Sequence, residues 1–198
     1  MAEPLPDATG FGTMPVSHQG DSMRCYTTLL ALPLLLLVAF VAADEPMDFR
    51  ELKKILPAEL GGLALVNSEG QKINANGQKF TQAMGEYEQA DGEADATMNI
   101  VDYSAMPQMA MAMTAWQNME FEQESDDGYQ KSTKVRDCPA MVSWENSGTG
   151  SITMLVAEKF IVVLEISQVT HDQFEAAIDG LPIDALMGGA PATTAPAE

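Results

Sequence analysis

Met106, Met109, Met111 and Met113 fall within eight residues, and eleven of the 14 methionines follow residue 43. Thioether sulfur is a soft ligand suited to Cu(I), so these four residues are candidate metal ligands in a copper-handling protein. Methionine is also an adaptable core filler, and it alternates here with Ala, another good helix former. On a helix Met111 points roughly 160–200° away from Met109 and Met113. The four sulfurs therefore converge on one ion only if the segment is extended, whereas a helical segment makes them packing groups. No histidine lies near to assist a metal.

Other reactive groups are sparse. After residue 43 the chain has one histidine, His171, and one cysteine, Cys138. A Ser or Cys nucleophile would need His171 as its base, and neither Cys138 nor any serine sits in a nucleophile motif such as G-x-S-x-G. His171 reads as a solvated residue in the first turn of a helix. Cys138, beside Pro139, reads as a buried and inert thiol. Carboxylates are plentiful, but position singles out no acid–base pair. Asp91-Gly92-Glu93-Ala94-Asp95 places oxygen ligands at alternate positions. Ala96, however, stands where a calcium loop needs glycine. No phosphate-binding, dinucleotide-binding or CxxC motif occurs. No catalytic or cofactor-binding residue is assigned, and the chain is expected not to be an enzyme.

Charge and topogenic signals narrow the setting. The net charge of −19 argues against nucleic acid and against an anionic membrane surface as partners. Met23-Arg24 begins a short positive stretch, Leu29–Val41 is an apolar run, and Val41-Ala42-Ala43 supplies small residues before Asp44. That order is the pattern of a secretory signal peptide over residues 23–43. A membrane anchor is the rival, since Tyr26–Ala43 carries no charge and is close to the length of a span. Pro33 and the acidic exit Asp44-Glu45 favour cleavage, which leaves no membrane span. Residues 1–22 are then a disordered leader or a mis-called start, and 188–198, rich in Pro, Ala and Gly, form a disordered tail.

The elements that must position any site lie in residues 44–187, expected to form a single domain. Asp48 caps a helix carrying Phe49, Leu52, Ile55 and Leu56 as far as Pro57. Gly61-Gly62 breaks the chain before a short strand at Leu63–Asn67. Ser68–Gly77 reads as a polar turn, and Phe80–Tyr87 and Ala96–Tyr103 as strands. A central helix is expected over Pro107–Phe121, with Met106, Met109, Met113 and Trp116 on one stripe, closed by an acidic run at Glu120–Asp127. Strands follow at Tyr129–Val135, Ala140–Trp144, Ser151–Val156 and Phe160–Ile166. Thr170-His171-Asp172-Gln173 is a capping box that opens a helix through Ile178, and Pro182–Met187 adds one turn. Neighbouring strands joined by short turns pair antiparallel. The expectation is an α+β fold: an antiparallel sheet of about six to seven strands, with two to three helices packed mainly on one face.

The stretch FRELKKILP, the Gly-Gly break, the Met-rich central helix and the terminal strand pair with its helix resemble an uncharacterised family of small exported bacterial proteins with no known activity. The resemblance implies an exported α+β protein and assigns no site residues. The function expected is that of a secreted or periplasmic, non-enzymatic binding or cell-envelope protein. Its partner would be another protein or a small apolar ligand, the latter because Met-lined surfaces adapt to varied shapes. Cu(I) handling through the four methionines is the alternative.

Overall fold

Apolar residues at alternate positions decide which side of each strand is dry. Phe160, Val162, Leu164 and Ile166 all point to one side and are all fully buried. Ala96, Met98 and Ile100, and Ile152 and Met154, repeat the pattern on the two flanking strands. The computed structural model describes residues 45–90 and 92–188. The expected leader, signal peptide and all but the first residue of the tail lie outside them. No described helix is long and apolar enough to cross a membrane.

In chain order the elements are α1 (Phe49–Ile55), β1 (Glu59–Leu60), β2 (Leu63–Ala75), β3 (Gln78–Glu88), β4 (Asp95–Asp102), α2 (Pro107–Gln117), β5 (Glu122–Ser125), β6 (Gly128–Val135), β7 (Cys138–Glu145), β8 (Thr149–Val156), β9 (Phe160–Ser167), α3 (His171–Asp179) and the single turn α4 (Ile183–Leu186). The strands form one sheet in the order β1-β2-β3-β4-β9-β8-β7-β6-β5. Every neighbouring pair is antiparallel. The chain meanders from β1 to β4, crosses through α2 to the far edge, and meanders back until β9 closes against β4. The α+β class is as expected.

The strand number is not: the sheet has nine strands, where six to seven were expected. Two short edge strands account for most of the difference. β1 is only two residues long, and β5 has four residues whose side chains are all exposed. Neither carries an alternating apolar face, which is the signal that marks a strand in sequence. Their place comes from backbone pairing with β2 and β6. The polar stretch Ser68–Ala75 is likewise strand, pairing with β3 along its length, and only Asn76-Gly77 turns. Both turn residues have positive φ. That geometry matches the twist of the flanking strands in a two-residue hairpin.

Two of the three main helices lie on the dry face. A Cβ on Gly70 of β2 would sit 2.9 Å from the Phe49 ring, and one on Gly150 of β8 would sit 2.7 Å from the Phe174 ring. Those two glycines thus let α1 and α3 approach the strands closely. Leu52, Phe174, Ala177, Leu181, Ile183 and Leu186 join the strand residues in one buried cluster. Asp48 caps α1 by accepting from the Arg50 amide, and Thr170 and Gln173 form the expected capping box on α3. The segment before α1 is fastened by buried Asp102, which accepts from the Met47 and Ser104 amides at 2.8 and 2.9 Å. α2 departs from the expectation of one helical face. Trp116, Gln117 and Met119 share a crevice with Ser132, Pro139 and Met141, whose side chains point away from the dry face. The helices therefore occupy both sides of the sheet.

Candidate functional site

The positions singled out in the sequence are dispersed. Met109, Met111 and Met113 lie on α2 and Met106 is its N-cap residue. Met106, Met109 and Met113 are half-buried, while Met111 is 78 % exposed. None belongs to the buried core, whose methionines are Met98 and Met154. Cys138 is a free thiol, 6 % exposed, at the start of β7. Burial, then the nearby Asp137 carboxylate, pushes its pKa up, which keeps it protonated and poorly nucleophilic. Trp144, the neighbour of His171, is six residues further along the same strand. That is roughly 20 Å at strand spacing. Cys138 and His171 therefore do not form a nucleophile–base pair.

His171 opens the first turn of α3 as expected and its side chain is 39 % exposed, but it is not free of neighbours. It is half-buried in an aromatic group built from three elements. Tyr129 on β6 and Trp144 on β7 are cross-strand partners, and Gly150 is opposite Trp144 on β8. The bare Gly150 leaves room for Phe174, which stacks on Trp144 with ring centroids 5.3 Å apart at 21°. Three residues earlier on α3, the His171 ring meets Trp144 edge-on, at 5.1 Å and 85°. His171 Nε2 is 3.1 Å from Tyr129 Oη. Its Nδ1 lies 3.8 Å from Glu175 Oε1, one helical turn on. Ligand atoms of His171, Asp172 and Glu175 all lie within 4.8 Å of one another. Burial, then the Glu175 carboxylate, raises the Tyr129 pKa, so its phenol keeps its proton.

His171 is legible in the sequence as a helix start, but Tyr129 and Trp144 lie far from it in the chain, so no local spacing encodes the aromatic group. One signal was present. His171, Phe174 and Glu175 have the three- and four-residue spacing that puts side chains on one helical face.

Beside Tyr129 and Trp144 an open groove of about 540 Å³ runs along the end of the β5–β6–β7 meander. Its walls are mostly amides and hydroxyls, including Gln123, Gln130, Ser143 and Asn146, with the carboxylates Asp127 and Glu145 and no basic side chain. The turn that closes it is braced: Asn146 donates through its backbone to Asp127 O and through its side chain to Asp126 O. On the far side of the site, Arg136 donates to Asp179 O at 2.7 Å and to Asp184 at 3.2 Å, tying the β6–β7 turn to the C-terminal end of α3. That placement also sets a cation against the negative end of the helix dipole. The aromatic group is thus held between two fixed hairpin ends.

No protein-family model, no curated protein and no solved structure matches the chain. The class is defined by architecture alone: among the described residues, an α+β fold with one nine-stranded antiparallel sheet.

Proposed function

We propose that the chain is an exported, non-enzymatic binding protein, secreted or periplasmic, whose ligand occupies the groove at the β5–β6–β7 end. The observation that carries this reading is the lining of that groove. It offers amide and hydroxyl partners together with two carboxylates and no base. Such a surface suits a polar ligand that carries positive charge, such as an extended basic peptide, better than the small apolar ligand expected from the methionines. The charged start, apolar run and small-residue exit over residues 23–43 support export.

Calorimetric titration with a Lys- and Ser-containing peptide, compared with its Glu-containing counterpart, tests the reading. The basic peptide is expected to bind, to weaken as salt is raised, and to lose at least tenfold in affinity with the double variant Asp127→Asn, Glu145→Gln. Equal binding of both peptides, or an unchanged affinity in the double variant, would overturn it.

A further inference from the structure

We infer that His171, Asp172 and Glu175 form a binding site for a divalent transition metal of the zinc class. The three residues offer one imidazole nitrogen and two carboxylate oxygens, all within 4.8 Å of one another. Ligand atoms on one zinc ion, at bonds of about 2.0–2.2 Å, stand roughly 3.3–3.6 Å apart in a tetrahedron. Both acidic side chains are exposed and rotate freely enough to close that gap.

The histidine is already aimed. Tyr129 Oη engages Nε2, and Trp144 and Phe174 meet the ring edge-on. This leaves Nδ1 facing Glu175. A hydrogen-bonded outer partner that fixes the ring is what metal-ligating histidines use. The charge also fits. Two carboxylates with a neutral imidazole carry −2, and among the described residues no Lys or Arg forms an ion pair with either acid. The positive end of the α3 dipole opposes a cation, but a helix end carries only about half a charge. An imidazole ligand with two carboxylates selects borderline metals over calcium or magnesium, and it differs in kind from the soft thioether set of the methionines. With metal on Nδ1, Nε2 carries the proton and donates to Tyr129 Oη, which frees the phenolic hydrogen to act as a donor.

The test is titration of the metal-stripped protein with Zn²⁺, and with Co²⁺ for its visible spectrum. One equivalent is expected to bind, with a shift of the His171 imidazole signal in proton NMR. Affinity should fall at least tenfold in the double variant Asp172→Asn, Glu175→Gln and about tenfold in Tyr129→Phe. The double variant changes only exposed side chains, so it decides the matter even if replacing His171 disturbs the aromatic group. Zinc binding that is unchanged in the double variant, or a native protein that binds no Zn²⁺, overturns the assignment. Neither result bears on peptide binding in the groove, which is read separately.

Discussion

The two faces of the sheet are built on different terms. On one, Ala83, Met98, Ile100, Ile152, Met154, Val162 and Leu164 are buried beneath α1 and α3. On the other, Asn99, Val101, Met141, Thr153 and Val163 mix polar with apolar and are only half-buried. The helices differ in the same way. α1 and α3 have side-chain N-caps, and α3 gathers its apolar residues on one side. α2 has no side-chain cap, no charged residue in its first or last turn to meet its dipole, and apolar residues spread around it. Most helical stability in proteins comes from an apolar face packed on a neighbour. The first face therefore holds the fold, and the second leaves its helix free to vary.

That contrast is most sharply tested at Phe174, which is 0 % exposed and packs over Trp144 and the bare Gly150. Phe174→Ala is expected to cost about 3–5 kcal/mol in urea unfolding, the usual range for deleting a core aromatic. Gly150→Ala presses on the same ring from β8, because its new methyl would lie 2.7 Å from it. A loss of about 1–3 kcal/mol is expected from that overpacking. If both variants unfold at the same urea concentration as the native protein, the dry face is not the core.

Much of this face was legible in the sequence, and the reason is local. Thr170 and Gln173 sit at capping-box spacing, and the alternation in β8 and β9 survives in any register. The strands that were missed, β1 and β5, lack an alternating apolar face and exist through pairing with neighbouring strands. The candidate site was hidden for a related reason. His171 gains its neighbours Tyr129 and Trp144 only when β6, β7 and α3 meet, and no spacing in the chain encodes that meeting. The Met-rich helix was placed correctly, though it ends at Gln117 and not at Phe121.

A second test uses the hydroxyls that the core encloses. Tyr87 is 0 % exposed on the dry face, and its Oη is buried without a hydrogen-bond partner. An unpaired buried polar group costs about 1–3 kcal/mol, so Tyr87→Phe should raise stability by about that amount. The same burial predicts an alkaline weakness. Burial pushes the Tyr103 pKa up to about 12, helped by Glu158 and then Asp102, and it raises that of Tyr87 as well. In the unfolded chain these phenols ionise near pH ~10. Above that pH the unfolded state holds fewer protons than the native state, so stability falls as pH rises from about 10 towards 12. Denaturant midpoints measured at pH 8, 10 and 11 should decline in the native protein and decline less in Tyr87→Phe. A midpoint that is flat across this range would show that the phenols are not enclosed.

The smallest effects belong to α2, and they also decide what its methionines do. Met113 is half-buried. Met113→Ala should therefore cost about 1 kcal/mol, roughly half the value of a fully buried side chain. Met111 is 78 % exposed. Met111→Ala should stay within about 0.5 kcal/mol, as surface changes do. Replacing Met106, Met109, Met111 and Met113 together by Leu keeps volume and apolarity nearly constant, so the fold should persist. Leucine cannot ligate metal. Competition against a chromophoric Cu(I) chelator then separates the two roles of the segment. If the methionines serve packing, the native protein takes no copper from the chelator and the quadruple variant matches it. If they handle copper, the native protein strips the chelator and the folded variant does not. Three methionines held half-buried along a helix while the fourth faces solvent are poorly placed to share one ion. The expected result is therefore no copper uptake by either protein.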